Sequence, residues 1–187
     1  MKRMFVALDL PDALKGQMSL CPAFRDMGYR GISWVKPENM HLTLKFLGDT
    51  EESGLDRLRS ALTGVGASHR AFTVSYSGVG RFGRGGYTSS IWVGVHDRTG
   101  GLARLAADIE TALMPLGFEK EGRRFSPHIT FCRVREGSDL PPWDQIKGSF
   151  SNLDASVLHD GFSLYESVLT REGPIYTRDS WYELKKG

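Results

Sequence analysis

Two stretches of the sequence place a histidine and a threonine two residues apart: His41-Leu42-Thr43 within 40–47, and His128-Ile129-Thr130 within 127–134. Polar and apolar residues alternate in both, with frequent β-branched and aromatic side chains, so both read as strands. Side chains in a strand alternate sides, which puts each His and its Thr on one face, roughly 7 Å apart along the chain. One small anion can then touch an imidazole and a hydroxyl together. If two such faces met across a groove, a single phosphate would find that pair on each side. Displacement at a phosphodiester needs this set. A proton must leave the attacking oxygen and another must reach the departing one, and imidazole, with an unperturbed pKa of about 6.5, suits both tasks. In-line geometry sets the two oxygens on opposite sides of phosphorus, so the rings should face each other. The threonines, stiff at χ1, would donate to the non-bridging oxygens where charge accumulates. No metal is required if the nucleophile is water or a ribose hydroxyl already held close.

A single His-x-Thr says little, because most such histidines are structural or superficial. The repetition, each time after a turn or a proline, carries the reading. Zinc would want a third and a fourth ligand at recognisable spacing, and neither stretch supplies such a set. Strict alternation puts Lys45 on the face of His41 and Thr43, pointing at the anion or lying exposed on the strand. The remaining histidines, His69, His96 and His159, read as surface groups. Trp34 and Phe125 closely precede the two motifs and are candidates to stack on a base. The run 120–135 carries Lys120, Arg123, Arg124, Arg133 and Arg135 against Glu121 alone. It is either a solvated basic loop or a landing strip for a phosphate backbone.

The elements that must position these residues follow from periodicity. A first strand spans 4–10, with Asp9 placed to cap a helix that Pro11 opens. Ala13, Leu14, Met18 and Cys21 make a short helical stripe ending near Pro22, and a second helical piece runs from Ala23 towards Gly28. A strand over 31–36 and a turn at Pro37-Glu38-Asn39 lead into the first motif, which Gly48 closes. Leu55, Leu58, Leu62 and Val65 mark a helix, and 72–79 a strand. The segment 78–86, with five glycines plus Arg81 and Arg84, reads as a mobile loop, and it lacks the ending of a Walker loop. A strand follows at 90–95. Leu102, Leu105, Ala106, Ile109, Leu113 and Leu116 form the cleanest amphipathic helix. After the second motif come a polar stretch at 135–149, strands at 156–158 and 162–169, a turn at 170–174 and a last strand over 175–184. The order suggests two related halves, each a sheet with helices on one face, an α+β arrangement.

With 187 residues, 40% hydrophobic and 25% charged, the chain has length and apolar content for a buried core. A formal charge of +2 is too small to argue for nucleic acid by itself. Cys21 and Cys132 give neither a disulfide framework nor a metal spacing, so reduced, cytoplasmic residence is the expectation. Asp9 cuts the N-terminal apolar run short, which argues against a signal peptide, and no stretch has the length of a membrane span. Low charge and the lack of an evident interaction helix point to a monomer.

With these residues in place, the chain resembles the two-histidine phosphoesterase superfamily, in particular the LigT-like RNA 2′,3′-cyclic phosphodiesterases. The paired HxTx motifs of that family resemble His41-Leu42-Thr43-Leu44 and His128-Ile129-Thr130-Phe131. Phe5-Val6-Ala7-Leu8-Asp9-Leu10-Pro11, Trp34-Val35-Lys36-Pro37-Glu38-Asn39, Ser126-Pro127 and Tyr165-Glu166-Ser167-Val168-Leu169 extend the similarity over nearly the whole chain. The resemblance implies one bilobed α+β domain over residues 1–187, with two pseudo-symmetric antiparallel-sheet lobes, helices on the outer faces and a central cleft. It implies metal- and cofactor-independent hydrolysis of an RNA or nucleotide 2′,3′-cyclic phosphate to a 2′-phosphomonoester. His41 would be the proton donor and His128 the proton acceptor, with Thr43 and Thr130 gripping the phosphate. Arg133 resembles a phosphate-contacting arginine, although alternation puts it on the face opposite His128 unless the strand bulges. The alternatives are a 2′–5′ RNA ligase and a binding module for RNA ends or nucleotides without turnover.

Overall fold

The computed structural model describes residues 1–20 and 24–186. The expectations attached to Cys21, Pro22 and Ala23 lie outside them, and the described remainder of that second helical piece is a short 3-10 turn at Arg25–Met27. Nine strands make two antiparallel sheets among the described residues. The first sheet joins β3 (Leu42–Thr50), β1 (Lys2–Leu8), β8 (Gly161–Thr170) and β9 (Gly173–Glu183), in that order. The second joins β2 (Ile32–Trp34), β6 (His128–Val134), β5 (Tyr87–His96), β4 (Phe72–Arg84) and β7 (Asp154–His159). The α+β expectation with paired antiparallel lobes therefore holds. The two lobes are not the two halves of the chain, however. The first motif's sheet is completed by the last two strands, and the other sheet is built from the middle.

Four helices accompany the sheets among the described residues: α1 (Asp12–Leu20), α2 (Leu55–Ser68), α3 (Gly101–Leu113) and α4 (Trp143–Ser149). Leu58 and Leu62 of α2 and Leu105, Ile109 and Leu113 of α3 recur at helical spacing and are fully buried. Each contributes about 1.5–3 kcal/mol by leaving water. Helix α2 packs on α3 and β9, while α3 reaches both β3 and β4, one strand of each sheet. Buried residues of the two sheets accordingly belong to one apolar cluster. The Asp97 carboxylate accepts the amide of Leu102 at 2.7 Å and of Gly100 at 3.0 Å, supplying the start of α3 with acceptors.

Several local expectations need correction. Asp9 does not cap α1; its carboxylate accepts the hydroxyls of Ser163, at 2.5 Å, and of Tyr165. Gly48 does not end the first-motif strand, which runs on to Thr50 through a register shift. The polar stretch at 135–149 contains α4, whose short apolar content, Ile146 and the flanking Phe150, is buried. The largest departure is the glycine-rich segment 78–86, which is strand rather than mobile loop: β4 continues to Arg84 and turns into β5 through Gly85-Gly86. Both turn glycines have positive φ, 61° and 83°, as a two-residue hairpin turn of the primed type requires. Gly80 is needed for a different reason. The Trp92 ring lies over it, and a Cβ there would fall 2.2 Å from ring carbons. Glycine here signals close approach within a sheet, a reading that composition alone cannot separate from a loop. Arg81 stacks over the Trp143 ring, 4.9 Å from its centroid, outside the cleft described below.

His159 is not a surface group either. It is 4% exposed at the end of β7, with Nε2 2.6 Å from the Tyr76 hydroxyl. Burial holds its pKa down at about 4, against about 6.5 in an unfolded chain. Between those values the unfolded state takes up a proton that the folded state refuses. Stability is therefore unaffected by this group above about pH 6.5 and falls as the pH drops towards 4, by about 3 kcal/mol in all. Urea midpoints measured between pH 7 and 4 should show the decline, and His159→Gln should make it shallower by this group's share, leaving the like share of the equally depressed His41. An equally steep decline in the variant would assign the loss to other groups.

Candidate active site

The turn Pro37–Asn39 and the extended Met40 deliver His41 to the start of β3, and Ser126-Pro127 delivers His128 to the start of β6. In both lobes the imidazole Nδ1 lies against the carbonyl two residues earlier: Asn39 O at 2.8 Å for His41 and Ser126 O at 2.7 Å for His128. A carbonyl only accepts, so each Nδ1 carries a proton and donates it. The neutral ring then bears its lone pair on Nε2, the nitrogen suited to exchange a proton with a ligand. The same backbone device, used twice, orients both rings alike.

His41, Thr43, His128, Thr130 and Arg133 all line one cleft of about 910 Å³ between the sheets. Arg133 reaches it because β6 is irregular. Ile91 of β5 pairs with Cys132, but its neighbour Trp92 pairs with Thr130, so Phe131 is an extra residue on β6. Such a bulge reverses the in/out alternation beyond it. Phe131 and Cys132 are both buried in succession, and Arg133 emerges on the side of His128 and Thr130.

The first motif repeats the irregularity. Val6 of β1 pairs with Lys45 and Ala7 with Thr43, leaving Leu44 as the extra residue. Lys45 is thereby turned away from His41, contrary to the simple alternation. It is 3% exposed and its ammonium donates to Glu110 of α3 at 2.7 Å and to the Glu119 carbonyl at 2.8 Å. Phe46 takes the place that Arg133 has in the other lobe. It lines the cleft and is 59% exposed, a large apolar side chain left open to solvent on a cleft wall. One wall thus presents a flat aromatic ring and the other a guanidinium, both at the fifth position after a histidine.

The rings behind the two histidines differ. His41 packs against Phe5, with centroids 4.7 Å apart, and edge-on to Tyr176 of β9 at 5.2 Å. His128 meets Phe82 edge-on at 4.8 Å. Loss of hydration depresses the His41 pKa to about 4; Asp9 and the carbonyl of Asn39 oppose the shift, and Arg133 and Lys15 add to it. His41 is therefore neutral at pH 7 in the free protein.

Arg3, Lys36, Arg133 and Arg171 line the cleft against a single acid, Glu172. Among the described residues none of these four cations has a carboxylate within ion-pair distance. The surface is built for an anion. Of the basic run at 120–135, only Arg133 contributes to it. Trp34 lines the cleft as expected, whereas Phe125 packs against the core. Sequence reasoning missed Phe46, Arg3, Asn39 and Tyr176. For Phe46 a signal existed: aligning the motifs puts it in register with Arg133. For Tyr176, contributed by a strand far along the chain, none did. Among the described residues no three His, Cys, Asp or Glu side chains group as a metal-ligand set, and no helix is long and apolar enough to cross a membrane.

Comparison with known proteins gives the same grouping. The family model described as LigT like Phosphoesterase matches twice, over residues 12–92 and 93–176, once around each His-x-Thr. A protein of Archaeoglobus fulgidus named RNA 2′,3′-cyclic phosphodiesterase is 34% identical over 93% of this chain and 96% of its own length. One of the same name from Thermotoga maritima is 33% identical over 93% and 91%. Among solved structures, E. coli LigT complexed with 3′-AMP superposes with a TM-score of 0.78 at 26% identity, covering 98% of both chains. A Thermus thermophilus protein, at 24% identity, shares the fold with a TM-score of 0.81 and 98% coverage of each chain.

Proposed function

The chain belongs to the LigT like phosphoesterase family, and from that premise we propose that it hydrolyses 2′,3′-cyclic phosphate ends of RNA, or of a nucleotide, to 2′-phosphomonoesters. The observation that carries the reading is the doubled constellation in one cation-lined cleft: two imidazoles, each with Nδ1 committed to its own backbone, and two threonines beside them. In this reading His128 accepts the proton of the attacking water and His41 donates one to the departing 3′-oxygen. Thr43, Thr130 and Arg133 hold the non-bridging oxygens. The bond from phosphorus to O3′ breaks as the bond to water oxygen forms, and the proton count balances across the two rings.

A donor that is neutral in the free protein needs a reason to gain its proton. The bound phosphate supplies one, since an anion within about 4–6 Å of an imidazole favours the charged form and raises its pKa. The flat Phe46 ring opposite Arg133 suits the base of the terminal nucleotide, which can stack on the one and under the other. We take the chain as one bilobed unit acting as a monomer in the cytoplasm.

The test is turnover of an oligonucleotide ending in a 2′,3′-cyclic phosphate by the purified protein with chelator present. The expected result is a 2′-phosphate product at an undiminished rate. A 3′-phosphate product, no turnover, or turnover restored only by added metal would each reject the proposal. Tight binding with no product would make the protein a binding module for RNA ends.

A further inference from the structure

The carbonyl that orients His41 belongs to a residue with a second attachment. Asn39 accepts the His41 Nδ1 proton on its backbone oxygen at 2.8 Å, while its side-chain Nδ2 donates to the Pro174 carbonyl of β9 at 2.8 Å. Two residues beyond Pro174, Tyr176 stands edge-on to the His41 ring. In the other lobe Ser126 gives His128 the same backbone acceptor, yet its side chain makes no hydrogen bond among the described residues. The two histidines are thus supported alike by backbone and differently by side chain.

We propose that Asn39 is a positioning residue for His41: it pins the β8–β9 hairpin over the imidazole, and so fixes the ring and keeps water from it. The proposal rests on the phosphodiesterase reading for its meaning in catalysis, but not for its test. Four contacts carry it. The Asn39 carbonyl holds the ring on one side, Phe5 backs it at 4.7 Å, Tyr176 covers its edge, and Phe5 and Tyr176 themselves meet at 4.9 Å. The Asn39 side chain ties the turn that carries His41 to the hairpin that carries Tyr176. Without that donor, the Pro174 carbonyl turns to solvent and the strand carrying Tyr176 is free to lift.

The charged and titratable groups around His41 come from five directions: Asp9 after β1, Lys15 of α1, Arg133 and His128 of β6 across the cleft, Tyr165 of β8 and Tyr176 of β9. Substituting Asn39 by an apolar residue alters none of those charges. A change in His41 titration would therefore report hydration of the ring, the largest influence on it in the intact protein.

The experiment is an NMR titration of the His41 ring in the whole chain. In Asn39→Ala and in the bulkier Asn39→Leu, the midpoint should rise by a unit or more towards the unperturbed value. Tyr176→Ala should raise it similarly, Tyr176→Phe should not, and Asn39→Ala combined with Tyr176→Ala should add nothing further, since both open the same cover. In turnover assays kcat should fall at least five-fold with KM changed less than three-fold. An unmoved His41 midpoint in a folded Asn39 variant, or strictly additive effects of the two alanines, would overturn the proposal. Should the protein prove inactive on cyclic phosphates, the titration still decides the role of Asn39.

Discussion

Replacing either His41 or His128 by alanine is expected to lower kcat/KM on a cyclic-phosphate-ended oligonucleotide by about 10²–10⁴-fold, the usual worth of a positioned acid or base. The double variant should be little worse than the poorer single one, because in the proposed mechanism removing either group already breaks the coupled pair of proton transfers. His41 is neutral at pH 7 in the free protein, held there by its loss of hydration, so its replacement removes no resting charge from the cleft. A lost rate then cannot be assigned to weaker long-range attraction of the substrate. Steady-state kinetics on folded variants, checked by thermal unfolding, measure the effect. Either single variant keeping more than a tenth of the wild-type rate would remove that histidine from the chemistry.

A stability effect of comparable size is expected at Lys45. Its ammonium and the Glu110 carboxylate meet at 2.7 Å with side chains 2% and 11% exposed. The pair connects β3, in the sheet of the first motif, to α3, while the Glu119 carbonyl and the Glu121 amide, at 2.8 and 3.3 Å, attach the segment leading towards the second motif. Lys45→Met leaves the carboxylate shielded and uncompensated, and should cost about 3–5 kcal/mol. Lys45→Met with Glu110→Leu should recover part of that loss, because no charge is then left stranded in the interior and an apolar pair fills the space. The recovery should be incomplete, since the Glu119 carbonyl and the Glu121 amide lose partners. Denaturant unfolding of the two singles and the double gives the coupling directly. Additive losses would mean that the contact contributes little and that the two side chains act independently.

The same pair marks where sequence reading succeeds and where it stops. His41, Thr43, His128 and Thr130 are legible because they precede any irregularity, so alternation places them correctly on one face. Beyond Thr43 and Thr130, one extra residue in each strand reverses the pattern. Alternation therefore assigns Lys45 to the cleft, and it lies behind; it assigns Arg133 to the back, and it lies in front. Nothing in Leu44 or Phe131 announces a bulge, because both are ordinary buried strand residues whose partner strands impose the shift. The helices are legible where apolar spacing is strong, as in α2 and α3, and not in α4, which is seven residues long. The glycines at 78–86 mislead in the other direction, since tolerance of close packing and tolerance of disorder have the same composition. The order of strands in the sheets is illegible altogether. Which distant strand sits beside β1 depends on long-range pairing, and β8 shows no more preference for β1 than for β5 in its own residues.

That crossed arrangement bears on when the protein can begin to work. Translation makes both histidine motifs well before Tyr176, which stands against the His41 ring, Pro174, which holds the side chain of Asn39, and Tyr165, which stacks on the Phe5 ring behind the histidine. A nascent polypeptide carrying both His-x-Thr motifs still lacks the half-sheet behind His41. The surroundings of His41 are complete only once β8 has joined β1 and β9 has joined β8, so a chain stopped before Gly161 keeps both motifs without the strand that covers the first.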